Sequence, residues 1–155
     1  MTRAKRLEPV QHIVDEAQQR LARSVATFEK RVLDGEAKLG ELERYKAEYE
    51  QGFSQRAGRG IGVTELRDYQ AFLSRLGEAI KQQQALVIRA RAEHQAERAK
   101  WQEALKRSKA LGHVVERWQA EERNVTDRRE QRDSDERAQR KISRAPDQSA
   151  PDELT

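Results

Sequence analysis

Three histidines, His12, His94 and His113, and one glycine-rich stretch with two arginines are the places where chemistry could be sought in this 155-residue chain. A metal needs ligands that converge at close spacing. The histidines are far apart, and the antiparallel pairing argued below sets His12 near position 103, a helical turn or more from both others. Each is assigned to the surface or to a helix seam, and no metal site is expected. Gly52 to Gly62 holds four glycines in eleven residues, with Arg56 and Arg59 and no acidic side chain, which is one way to build a phosphate cradle. It has neither the G-x-x-x-x-G-K-[ST] nor the G-x-G-x-x-G pattern, and no strand flanks it. Glycine at that density instead ends a helix and reverses the chain. Cysteine is absent, so disulfides and thiolate ligands are excluded. No Ser-His-Asp set can sit in a pocket, because two paired helices enclose none in which water is excluded and pKa values shift. The chain reads as a non-enzyme without a cofactor.

Composition says what must carry the function instead. Hydrophobic residues make up 35% of the chain, aromatic residues 5% and charged residues 37%, too little apolar surface for a globular core and the usual proportion for long helices. The 31 basic and 27 acidic residues are interspersed, giving a net charge of +4 without a basic domain. Such mixing dresses a solvated coiled-coil flank, so nucleic acid is not an expected partner. The surface on which to look for it is Arg89 to Lys109, with seven basic and three acidic residues. No apolar run is long enough for a membrane span or signal peptide, and the expected address is the cytosol.

The dominant pattern is a stripe from Leu66 to Val125. Leu66, Leu73, Ile80, Val87, His94, Trp101, Ser108 and Val115 stand seven apart; Tyr69, Leu76, Gln83, Ala90, Glu97, Ala104, Leu111, Trp118 and Val125 form a companion line three residues on. That is a coiled-coil seam, and at about 1.5 Å per residue it would extend roughly 90 Å. It must be buried against another helix. A second amphipathic stretch follows Pro9, a residue suited to a first helical turn, with one line reading Leu7, Val14, Leu21, Phe28, Gly35, Leu42 and Tyr49. Its companion drifts by one place, as a 3.6-residue helix does on a 3.5-residue grid.

The expected fold is all-α: an antiparallel two-helix coiled-coil hairpin, a rod whose second helix is longer, with a disordered C-terminal tail. The boundaries read as a basic lead-in over 1–8, helix over 9–51, a reversal loop over 52–63 and helix over 64–126, with Thr64 at the N-cap. Residues 127–143, almost wholly charged or Gln, either prolong the helix through i,i+4 charge pairs or fray; gradual loss of order is favoured. Residues 144–155, with Pro146 and Pro151, read as the tail.

Pairing residues whose numbers sum to 115 sets every a layer opposite a d layer. It places Gly35 against Ile80, Leu42 against Leu73 and Tyr49 against Leu66. Polar seam residues Gln83, His94, Glu97 and Ser108 weaken such a coil and fix its register. In this register Val115, Trp118 and Val125 have no partner and Leu111 meets only the frayed start, so an apolar overhang is expected.

Tyr45-Lys46-Ala47-Glu48-Tyr49, then the glycine loop, then Tyr69-Gln70-Ala71-Phe72-Leu73-Ser74-Arg75-Leu76-Gly77-Glu78-Ala79-Ile80 resembles the signature region of the flagellar export protein FliJ family. The resemblance spans about 40 residues, and the remaining chain agrees in length and coiled-coil character. It implies a soluble component of the flagellar type III export apparatus: a stalk-like hairpin within the hexameric export ATPase FliI, promoting ring assembly, contacting the membrane export gate protein FlhA and interacting with export chaperones. Membrane association would then be peripheral, through the gate. By motif match the gate contact falls on Phe72, Leu76, Ala79 and Gln83, the last standing where the family can have histidine. Leu76 and Gln83 also lie on the seam, where packing alone accounts for them, whereas Phe72 sits beside it with part of its ring free. The overhang residues Leu111, Val115 and Trp118 are the candidate ATPase-ring contact. The competing reading is a generic coiled-coil adaptor that dimerises through the stripe.

Overall fold

The computed structural model describes residues 2–145; of the tail expected over 144–155, residues 146–155 lie outside them, and Arg144 is the last residue of a helix. The described residues form two helices, α1 over Arg3–Ala57 and α2 over Val63–Arg144, and no strand. The all-α helical hairpin is thus observed.

Both helices differ in extent from the spans read above. α1 begins at Arg3 rather than Pro9, because Thr2 caps it: Lys5 N donates to Thr2 Oγ1 at 3.3 Å and Arg6 N to the Thr2 carbonyl at 3.1 Å. Pro9 lies inside the helix, which forgoes one N–H of the ladder there. α1 also continues through Gly52 to Ala57, and the Gly58, Arg59 and Gly60 amides tighten its last turn onto the Ser54, Arg56 and Ala57 carbonyls. The turn is only 58–62, with Gly60 at φ 93°, a left-handed conformation that glycine adopts without steric cost. Leu66 N bonds to the Gly62 carbonyl, so Gly62 and not Thr64 stands at the head of α2. α2 stays helical through the charged segment to Arg144.

The chain divides into two compact units. The first comprises 13–108, with the turn and the helical segments on either side of it. Its buried residues are Leu76, Ile80, Gln83 and Val87, all on α2. The register here corrects the expected one. A Cβ placed on Gly35 would meet Val87 Cγ2 at 3.3 Å, so Gly35 faces Val87 and not Ile80. Phe53 likewise lies on Tyr69. Both pairs sum to 122, one heptad above 115. A heptad seam matches itself after a shift of seven; what selects between the two is the turn, whose centre moves with the longer α1.

Polar side chains strengthen that choice. Gln83 Nε2 donates to the Gly35 carbonyl at 3.0 Å, Trp101 Nε1 to Gln18 Oε1 at 3.0 Å, Ser24 Oγ to Glu97 Oε1 at 2.9 Å, and Ser108 Oγ to Asp15 Oδ1. Each bond exists in one register only, which is how polar seam residues specify pairing while weakening the coil.

The second unit comprises residues up to 12 and from 109 onward. Ala4 and Val115 are its buried residues, 2% and 4% exposed. The Arg3 guanidinium sits 4.6 Å above the Trp118 ring and bonds to Glu121 at 3.2 Å. Ala4 N donates to Glu122 Oε1 at 3.2 Å, so Glu122 satisfies a free amide at the positive end of α1. Leu111, Val115 and Trp118 are therefore not an unpaired overhang. From Arg123 to Ala145 every residue is exposed, and that stretch is the part of α2 left uncovered.

Candidate functional site

The sequence places Tyr45, Tyr49 and Phe53 four residues apart on α1, hence on one face, and Tyr69 and Phe72 three apart on α2. In the observed register these five rings meet beside the turn. Tyr49 and Phe72 have centroids 4.4 Å apart; Tyr45 meets Phe72 edge-on at 6.0 Å; Tyr69 stacks on Tyr49 at 5.4 Å and on Phe53 at 3.5 Å. Pairs of this kind contribute about 0.5–1.5 kcal/mol each beyond area burial. The cluster holds every tyrosine of the chain and two of its three phenylalanines. Partial desolvation among these rings raises the Tyr69 hydroxyl above its ordinary pKa of 10.0, and the Glu50 carboxylate and Tyr49 push it the same way.

Part of the cluster faces solvent. Tyr45 is 50% exposed, and Tyr49, Phe53, Tyr69 and Phe72 are half-buried. The motif residues divide accordingly. Phe72 and Ala79 keep exposed surface, whereas Leu76 and Gln83 are buried in the seam, Gln83 with its amide bonded to Gly35. A partner reaching this face would touch Phe72 and Ala79 directly, with Tyr45 and Tyr49 beside them. Those two tyrosines were missing from the expected contact set, although the four-residue spacing from Tyr45 to Phe53 was a usable signal. A reversal loop over 52–63 leaves Phe53 outside the helix, whereas α1 continues to Ala57 and brings its ring into line with Tyr45 and Tyr49.

In the second unit Val115 is enclosed, while Leu111 and Trp118 are half-buried and Trp118 lies under Arg3. His94 is half-buried, His12 and His113 are exposed, and among the described residues no three His, Asp or Glu side chains gather in a way that would hold a metal. No helix among them is long and apolar enough to cross a membrane.

Comparison with known families decides the assignment: residues 3–147 match the family described as flagellar FliJ protein. The chain belongs to the FliJ family. As a FliJ-family member it is a component of flagellar export. The match covers both helices and the aromatic cluster, so the motif around the turn sits within a family-wide resemblance. Comparisons with curated proteins and with solved structures returned no match.

Proposed function

We propose that this FliJ-family chain is a non-enzymatic stalk that promotes assembly of the hexameric export ATPase FliI and couples it to the export gate protein FlhA, with export chaperones as further partners. It would work on the cytoplasmic face of the inner membrane at the flagellar base, held there by the gate. The observation that carries the reading is the solvent-facing aromatic patch beside the turn. Rigid aromatic side chains partly buried by their own fold present contact area at low entropic cost, the usual composition of an interaction hot spot. Phe72 and Ala79 are the direct gate contacts in this proposal, joined by Tyr45 and Tyr49; Leu76 and Gln83 support them from the seam. The ATPase-ring contact is proposed for the uncovered part of α2 beyond Glu122, together with the exposed portions of Leu111 and Trp118. Val115 supports that surface from within.

The dimerising adaptor is disfavoured because the chain's own helices fill the seam in both units. Purified FliI, mixed with the full chain or with a chain ending at Glu122, tests the ring contact by hexamer formation and ATP hydrolysis. Stimulation by the full chain and its loss on truncation is the expected result; no stimulation by the full chain would sink the stalk reading. The cytoplasmic domain of FlhA should bind the full chain and lose affinity about tenfold or more on Phe72→Ala, the size of effect expected of an aromatic hot spot.

A further inference from the structure

We infer that a third helix, supplied by a partner protein, packs lengthwise on one side of the hairpin, over Phe72, Ala79 and Leu86. These three residues stand seven apart on α2, hence in one line of roughly 21 Å beside the seam. α1 supplies the opposite wall: Tyr45 meets Phe72 at 6.0 Å, and Arg31 shares a hollow of about 360 Å3 with Leu86. Leu86 is 56% exposed although it continues the line of Phe72. The result is a groove with an apolar floor, open along its length, the form in which an amphipathic helix is held.

Two further observations describe the occupant. The hollow beside Leu86 is also lined by Gln83, which is 6% exposed. Gln83 Nε2 is bonded to the Gly35 carbonyl, while its Oε1 accepts no bond among the described residues and is not sealed from solvent, which leaves it open to a donor from the occupant. The rims, in turn, carry opposite charge at matching spacing. Asp34, Glu41 and Glu48 stand seven apart on α1, and Arg75 and Arg89 fourteen apart on α2, each line one step outside the groove. Arg89 bonds to Glu93 at 3.2 Å; Arg75 and the three carboxylates form no ion pair among the described residues. Arg31 is engaged over the Phe28 ring at 4.8 Å, and Lys38, between Asp34 and Glu41, leaves the α1 rim acidic overall. A helix with an acidic flank toward α2 and a basic flank toward α1 complements both rims, whereas two like-charged flanks are repelled by one of them. An extended peptide would leave its own N–H and C=O groups unpaired, because paired helices offer no strand edge.

The inference rests on the gate reading in one respect, that Phe72 belongs to a partner surface; it adds the shape and charge of what lies there. The probes are three blocked helical peptides of about 18 residues, alike in a Leu stripe with one central Asn as donor. The first has Glu on one flank and Lys on the other, the second Glu on both, the third Lys on both. A helix can bind in either direction, so only the first can meet both rims. Fluorescence anisotropy against the full chain should show saturable binding of the mixed peptide, several-fold tighter than either uniform one. Leu86→Ser should weaken it about tenfold with the helical circular dichroism unchanged, since Leu86 is largely exposed. Glu41→Lys with Glu48→Lys makes both rims basic, and the all-Glu peptide should then bind best. Equal affinity of the three peptides, no saturable binding up to about 1 mM, or full binding by Leu86→Ser would each overturn the inference. So would a dimer by light scattering that Leu86→Ser dissociates, which would assign the groove to a second copy of the chain. FlhA binding that is lost on Phe72→Ala, with no peptide bound, leaves the gate contact standing and removes the third helix; peptide binding without FlhA binding does the reverse.

Discussion

The side-chain amide of Gln83 donates a 3.0 Å hydrogen bond to the backbone carbonyl of Gly35, across the seam and at a position where Gln83 is only 6% exposed. A helical carbonyl has a second lone pair to accept this bond. Gln83→Leu keeps the volume and removes a bond whose acceptor retains its helical partner, so the cost is expected within about 1 kcal/mol. Gln83→Ala leaves a cavity as well and should cost about 1–2 kcal/mol more. Urea unfolding of the two variants checks the order.

The glycines on the helices differ in what surrounds them. At Gly35 an added Cβ meets buried Val87 at 3.3 Å, and a β-branched side chain in a helix has little rotamer freedom with which to yield. At Gly40 and Gly77 nothing lies within 4 Å. Gly40→Ala and Gly77→Ala should therefore each raise stability by about 0.5–1 kcal/mol through helix propensity, while Gly35→Ala loses that gain to crowding. Thermal melting of the three variants separates the cases.

Because the chain has no cysteine, its register can be trapped covalently. Gly35→Cys with Val87→Cys should oxidise readily to an intramolecular disulfide, since a Cβ at Gly35 would lie 3.3 Å from Val87 Cγ2. Gly35→Cys with Ile80→Cys should not. Efficient closure of the second pair and not the first would restore the register of 115.

These three predictions mark where the sequence was legible. The two-helix hairpin, its core line Leu76, Ile80, Gln83 and Val87, and the family motif could all be read from spacing. The register could not, because a heptad seam shifted by seven residues still matches apolar to apolar. The deciding information lay in local chemistry at the chain's turning points: Thr2 capping α1 seven residues before Pro9, and Phe53 holding Gly52 within a helix although glycine there is unfavourable. The expected overhang carries the same error, since the start of α1 covers Val115.

Burial separates two seam positions that composition treats alike. Ile80 is 8% exposed and Val125 is 58% exposed. Ile80→Asp should destabilise the fold by about 3 kcal/mol or more, since it sets an unpaired carboxylate between packed helices. Val125→Asp should change stability by less than about 0.5 kcal/mol. Equal melting temperatures for the two variants would contradict the packing described for α2.

Tyr69 gives the alkaline limb of stability a specific origin. Its folded pKa is raised above the ordinary 10.0, so the folded state favours the neutral phenol. The associated contribution is full below the unfolded pKa and is lost as pH rises through the folded one. Melting temperature should fall above pH 10, and Tyr69→Phe, which has no proton to lose, should fall less steeply over the same range. Parallel curves for the two proteins would count against this origin.

The gathering of all three tyrosines beside the turn, while Trp101 and Trp118 lie elsewhere on α2, divides the chain's ultraviolet signature by residue type. Tyrosine ellipticity reports the packing of the ring cluster, and indole emission reports segments well removed from it in sequence. A ligand or partner that engages the turn would perturb the first signal and spare the second; one that grips α2 near Trp118 would do the reverse. The wild-type protein thus carries two built-in optical channels, and its binding events can be located without attaching a dye.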